Sequence, residues 1–392
     1  MTTLGFVLVA VPLATAFYAY VGYPLVLGAL RAVRPSRSDP GEPEEWPRIS
    51  ITVPAYNEES QIAETIESLL ALDYPAERRQ ILVVSDCSSD RTDEIVRGYA
   101  DRGVELLRLE QRSGKTAAEN AAARHLDGEI VINTDASIRI RRGALRSLVR
   151  HFRDPGIGLA SGRDLSVSGV EEETNRGEQG YVGYEMKIRD LETSVSGIVG
   201  ASGCFYAIRA HLHRLPLPES LSRDFAAALN TREQGYRAIS VSDAVCTVPR
   251  APSLKREYRR KVRTMTRGME TLRFKRALLN PFRFGAFAWM LFSHKICRWL
   301  LPWTAVLGAV GLALLAPAHP VAGWLLAAGL VVVAVAAVGW VLADRVDLPR
   351  PVQVLAYGLM GNVAAMHASL RLLAGQGDPV WEPTRRTVQE GG

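Results

Sequence analysis

The sequence predicts an α/β fold: a doubly wound, mostly parallel sheet with helices on both faces, flanked by transmembrane and interfacial helices. Three observations predict it. Apolar, β-branched runs alternate with helical patterns through the centre of the 392-residue chain. Polar residues follow several of those runs directly, at strand ends where open α/β sheets bind ligands. Uncharged apolar stretches bound the centre on both sides.

Taken in order, residues 5–30 carry no charge and are long enough to cross ~30 Å of hydrocarbon. A secretory signal would have a basic start and a shorter apolar core. Arg31, Arg34 and Arg37 come next, so the positive-inside rule puts residues 31 onward in the cytoplasm. A linker rich in Pro and acid covers 38–47. Strands are expected near 49–54, 80–85, 104–109 and 129–134, with helices near 59–72, 91–101, 114–126 and 141–153. Beyond Pro155 come a strand at 157–165, a polar helix at 172–195 and a strand at 203–208. A helix opening at Ser222-Arg223-Asp224-Phe225, a strand at 238–248 and a basic helix at 253–276 complete the central domain. Residues 282–298 read as a helix lying in the interface. The stretches 299–316, 320–343 and 352–374 are apolar, the last interrupted by Asn362, His367 and Arg371. If all three cross, the tail beyond Gly375 lies outside; if one lies along the surface, the tail returns to the cytoplasm. The expected divisions are an anchor over 1–37, a cytoplasmic domain over 38–280, membrane and interfacial helices over 281–375, and a tail over 376–392.

The four cysteines are scattered without paired spacing, which argues against zinc and against a disulfide framework. The net charge is +6, with a basic run between Lys255 and Arg276. Beside membrane spans, anionic lipid is the nearer partner for such a helix, and nucleic acid is not expected. No Gly-x-Gly-x-x-Gly follows the first strand, which excludes a dinucleotide-binding dehydrogenase.

Each candidate group has a plain structural reading beside its chemical one. Asp86 could accept from a ribose or a base edge, or cap the turn in Asp-Cys-Ser-Ser-Asp. Gly114-Lys115 opens a helix and could meet a phosphate together with free backbone N–H groups, or simply face solvent. Asp135 in Thr134-Asp135-Ala136-Ser137 follows apolar strand residues, where a buried carboxylate needs a partner such as a metal ion. Asp224 is an N-terminal helix residue or a general base. Arg260 and Arg263 share a helical face, suited to a leaving diphosphate or to a membrane surface. Carboxylates gathered at strand ends suit a divalent cation carrying a diphosphate, with one further carboxylate left as a base.

With these residues in order, the chain resembles the membrane-bound family 2 glycosyltransferases, the group holding cellulose, hyaluronan and poly-N-acetylglucosamine synthases and many lipid-linked sugar transferases. The likeness covers about 50–276 and implies a GT-A type domain. Pro54-Ala55-Tyr56-Asn57-Glu58 resembles the family's opening strand motif, and Asp86 its nucleotide-contacting aspartate. Lys115, with Asn120 after it, resembles the phosphate-side lysine segment. Asp135 falls at the metal motif, implying Mg²⁺ or Mn²⁺. Gly200-Ala201-Ser202-Gly203 resembles the acceptor-side loop, before a strand ending in Ala207-x-Arg209. Asp224 resembles the general base of the Thr-Glu-Asp motif, with Gly235 at the family spacing. Trp381, Thr384 and Arg386 resemble a gating segment.

Three residues depart from the pattern. Ser137 replaces the second metal carboxylate. Arg223 replaces the acid before the base and should favour ionised Asp224 if the two approach. Thr264 replaces the tryptophan after Arg263, which removes an acceptor platform.

The resemblance implies an inverting transferase at the inner membrane, multi-pass, with its catalytic domain cytoplasmic. It would move a sugar from a nucleotide donor, UDP-linked by expectation, to a lipid-linked or short glycan acceptor with a β-linkage. A processive synthase working with export or assembly subunits is the second reading. A non-catalytic sugar-nucleotide-binding membrane scaffold is the third.

Overall fold

The computed structural model describes residues 2–33, 40–167, 176–249 and 253–376. Eight strands form one sheet: β1 (Ile49–Ala55), β2 (Arg79–Ser85), β3 (Val104–Arg108), β4 (Ile130–Thr134), β5 (Arg139–Ile140), β6 (Ile157–Val167), β7 (Phe205–Arg209) and β8 (Arg237–Pro249). Their order is β3-β2-β1-β4-β7-β6-β8-β5. β1 to β4 pair in parallel and β6 pairs with β8 in parallel, while β7 runs against both its neighbours. All seven residues of β1 are buried, as expected for a strand covered on both faces. Alternation sorts β2 between two cores. Ile81 and Val83 pack into one, and Leu82 and Val84 into the other.

The seven longer strands fall close to their sequence positions. β5 escapes the sequence because two residues carry no periodicity; they pair with Thr247 and Cys246. The helix Arg176–Val195 packs through Ile188, Leu191 and Val195 against Tyr23, Leu27 and Phe287 of the apolar helices. The helices Lys115–Ala122 and Arg223–Glu233 start beside the strand ends, and the basic helix Leu254–Phe274 starts at a Ser253 cap, whose Oγ accepts from Arg256 N.

Three helices are long and apolar enough to span a bilayer: Thr2–Ala32, Ala286–Leu315 and Pro320–Leu342. The second differs from the expected division at Arg298, because one helix runs unbroken through 286–315. The polar residues that suggested an interfacial segment face protein instead. His294 sits between Glu185 (2.7 Å) and Glu192 (2.6 Å), and Arg298 meets Glu185 at 2.8 Å. The first two spans pack through small residues: a Cβ on Gly311 would meet Leu8 Cβ at 2.8 Å. Each contains a π-helical turn, Tyr18–Gly22 and Phe292–Cys297, and the turns meet through Tyr18 Oη and Ser293 Oγ at 2.7 Å.

The helix Arg350–Leu373 is not among the candidate spans. It lies along the basic helix, where Tyr258 Oη bonds His367 Nδ1 at 2.8 Å and Lys261 sits 4.9 Å from the Tyr357 ring. The first contact accounts for His367 among the polar residues that interrupt its apolar pattern, while Asn362 bonds the Gly358 carbonyl of its own helix.

Candidate active site

The loops after β1 and β2 are tied to each other. Asn57 adopts a left-handed φ of 52° and accepts from Ser89 N at 2.8 Å, while Glu58 N donates to Thr92 Oγ1 at 2.8 Å. Arg112 stacks 4.0 Å over the Tyr56 ring. Asp86 is buried, and its two oxygens accept from Ser113 N (2.7 Å) and Gly114 N (2.8 Å). Gly114 has a φ of +91°, a conformation glycine adopts without strain. Asp86 therefore fixes the turn that delivers Lys115, and not the turn in its own Asp-Cys-Ser-Ser-Asp segment.

Lys115 reaches a cavity of about 460 Å³. Its Nζ donates to Asp135 Oδ1 and, at 3.0 Å, to the Gly203 carbonyl. Asp224 stands on the other side of Gly203, whose Cβ, if present, would lie 3.0 Å from Asp224 Oδ2. Ser222 Oγ donates to Asp224 Oδ1 at 2.5 Å. Thus Asp135, Lys115, Gly203 and Asp224, widely separated in sequence, form one continuous wall. Glu58, Ser137, Ser202, Arg260, Arg263 and Thr264 line the same cavity.

The cavity is strongly charged. Burial pulls the Lys115 ammonium down, but Asp135, Glu119 and Asp224 outweigh it and hold it above its usual value. Burial pushes the Glu119 carboxyl up against the pull of Lys115 and Arg223. Asp164 is raised by burial too, with Arg189 opposing; it accepts from Ser202 Oγ at 2.6 and 2.8 Å.

Several expected residues are placed differently. Ala55, Tyr56, Asn57 and Asp86 are not among the cavity-lining residues. Arg223 does not serve Asp224, because its Nε lies 3.1 Å from Glu119 Oε2 and its Nη atoms bond Asn120 Oδ1 and the His213 carbonyl. Ser202 directs its hydroxyl to Asp164. Arg260 makes a bidentate pair with Glu257 at 2.7 Å, so part of its charge is already matched. Arg209 bonds the carbonyls of Phe152, Asp154 and Ile157. Trp381, Thr384 and Arg386 lie outside the described residues, as do Arg34 and Arg37.

Sequence reasoning missed Glu119, Asp164, Arg189, Lys295 and Trp299, all of which line the cavity. Glu119 carried a signal, since it lies one turn after Lys115 on the same helix. Lys295 and Trp299 come from the second candidate span, and nothing local in the sequence ties that helix to the sheet.

Among the described residues no cluster of three or more His, Cys, Asp or Glu is arranged to hold a metal by itself. Asp135 keeps one carboxylate oxygen beyond its bond to Lys115. That donor set fits a hard cation taking most of its oxygens from a diphosphate and water, not one caged by protein.

Residues 50–214 match the model described as Glycosyl transferase family 2. The Synechocystis protein named beta-monoglucosyldiacylglycerol synthase is 27% identical over 171 residues, covering 42% of this chain and 36% of that protein. An N-acetylglucosaminyltransferase of Rhizobium sp. (strain N33) is 30% identical over 160 residues, covering 38% and 35%. The chain thus spans about a third of the length of these relatives. Among solved structures, the mannosyltransferase PcManGT from Pyrobaculum calidifontis, in complex with GDP-Man and Mn²⁺, superposes with a TM-score of 0.72 at 24% identity, covering 96% of this chain and 99% of that one. That similarity extends the shared fold through the flanking helices. The match to Glycosyl transferase family 2 is confined to residues 50–214 of this chain.

Proposed function

We propose that the chain is an inverting glycosyltransferase that moves a sugar from a nucleotide diphosphate donor, UDP-linked by resemblance, to a hydroxyl on a lipid-linked or short glycan acceptor. The observation that carries this reading is the wall Asp135–Lys115–Gly203–Asp224, where an ammonium and two carboxylates meet on one cavity, as a diphosphate site beside a base would require. Asp224 takes the proton of the acceptor hydroxyl as that oxygen bonds to the anomeric carbon. The bond from that carbon to the donor diphosphate breaks, and the leaving group departs with both electrons. Lys115 and Arg263 face the negative charge that develops. A bound Mg²⁺ or Mn²⁺, held by Asp135, would neutralise diphosphate charge. One base without a protein nucleophile gives inversion, hence a β-linkage from an α-linked donor.

Domain placement follows the same reading: Thr2–Ala32 anchors the chain, the sheet domain is cytoplasmic, and Ala286–Leu315 and Pro320–Leu342 return through the inner membrane. Transfer of one or a few sugars is favoured over a long polymer, because Thr264 lines the cavity at the position where the resembled family has its tryptophan.

A screen of UDP- and GDP-sugars for nucleotide release, with and without divalent metal, tests the reading. Metal-dependent release from one donor is expected; no release from any donor overturns it in favour of a binding scaffold. Asp224→Asn is expected to keep nucleotide affinity and lower transfer by about 10²–10⁴-fold. Substantial turnover by that variant would remove Asp224 as the base.

A further inference from the structure

Part of the cavity wall belongs to the membrane. Lys295 and Trp299, both on the span Ala286–Leu315, line it alongside Arg189 and the Gly200–Gly203 loop. Lys295 lies in the π-helical turn Phe292–Cys297, and such turns often mark functional positions. Its Nζ is 5.4 Å from the Phe225 ring and would stand 3.5 Å from a Cβ on Gly200. Among the described residues the Lys295 ammonium makes no hydrogen bond or ion pair.

The acids nearest to it are already engaged. Glu185 binds His294 and Arg298, and Glu192 binds His294 and Tyr23 Oη. Arg189 adds a second cation, with its Nε buried and unpartnered. A partly desolvated ammonium is costly unless a counter-charge arrives. Trp299 closes the same region, its indole Cζ2 3.5 Å from where a Cβ on Gly268 would be.

We infer that this end of the cavity is the acceptor site, and that it takes a lipid whose head group carries both a phosphate and a free hydroxyl. The inference rests on the transferase reading and specifies its acceptor. Lys295 and Arg189 meet the phosphate, Trp299 flanks the head group, and the hydroxyl is presented to Asp224. Because Lys295 and Trp299 sit on a helix able to span the bilayer, a lipid reaches them without leaving the membrane.

Native mass spectrometry of the full-length protein in neutral detergent tests this with three probes. Phosphatidylglycerol has tail, phosphate and hydroxyls; diacylglycerol lacks the phosphate; glycerol 3-phosphate lacks the tail. Phosphatidylglycerol should bind at least about tenfold more tightly than either of the others, the scale of one charge-assisted contact. Lys295→Gln should lose about tenfold or more of that affinity while nucleotide affinity changes less than about twofold. Trp299→Leu provides a second variant, with the same selective loss expected. Equal binding of diacylglycerol would overturn the anionic requirement, and equal binding of glycerol 3-phosphate would overturn the lipid. A Lys295→Gln loss that falls on the nucleotide instead would place Lys295 on the donor. Failure of the transferase reading is seen separately, as absence of nucleotide release from any donor.

Discussion

Gly203 and Asp224 are in direct contact: a Cβ on Gly203 would lie 3.0 Å from Asp224 Oδ2, tight enough that the carboxylate would have to give by a few tenths of an ångström. Gly203→Ala should therefore push the carboxylate off its position while leaving Lys115 and its acids in place. Misplacement on this scale is expected to lower transfer by about 10–100-fold with little change in nucleotide affinity. Steady-state kinetics against the donor checks this; an unchanged rate would show that Asp224 tolerates displacement.

Arg223 and Glu119 form a buried pair at 3.1 Å beside the site. Removing one partner strands the other. Arg223→Met should destabilise the domain by about 3–5 kcal/mol, and the double variant Arg223→Met/Glu119→Gln should recover part of that loss. Chemical denaturation of all three variants completes the cycle, and a double variant as unstable as the sum would argue against coupling.

His213 is buried, and burial, with Arg223 and Arg214 beside it, holds its pKa well below the ordinary 6.5. The fold therefore keeps the ring neutral where the unfolded chain binds a proton. Its contribution to stability is complete above pH 6.5 and is lost as pH falls toward the folded-state value. Glu119 and Asp164, raised by burial, act with the opposite sign, so the comparison is with a variant. The melting temperature of the wild type should fall more steeply than that of His213→Gln between about pH 7 and about pH 5. Parallel curves would mean that His213 is protonated in the fold.

The packing of Arg350–Leu373 on the basic helix sets which side the chain returns to. If the three candidate spans cross, residues 316–319 are expected on one face and residue 376 on the same face as the sheet domain. In a protein with Cys87 and Cys204 replaced, Ser60→Cys and Gln376→Cys should label with an impermeant thiol reagent from the same side of sealed vesicles. Ala318→Cys should label from the other. Gln376 labelling with Ala318 would make Arg350–Leu373 a fourth crossing.

The seven longer strands were legible because each announces itself locally, by β-branched runs such as Ile49–Val53 and Ile130–Ile132. The convergence of Lys115, Asp135, Gly203 and Asp224 was legible only through their order along a familiar pattern, since no local signal relates a strand end to a helix start far along the chain. What Arg223 does was not legible. Its neighbour in sequence is Asp224, but the helix turns the two side chains apart, and a buried Glu119 claims the guanidinium. His294 and Arg298 misled for the same reason: adjacency suggested a water interface, whereas Glu185 and Glu192 of a distant helix supply their partners.

The paired π-turns at Tyr18–Gly22 and Phe292–Cys297 fix the rotational phase of everything beyond them. One extra residue in a turn rotates the following helix by about 100° relative to a regular helix. Trp299 points at the sheet domain while Leu307 and Val310, farther along, stay exposed on the apolar outside. A one-residue deletion within 292–297 would swing those faces around the axis, carrying aliphatic surface toward the polar chamber and the indole toward lipid. The length of that short segment, more than its composition, keeps the exposed apolar face and the cavity-lining face of the helix in phase.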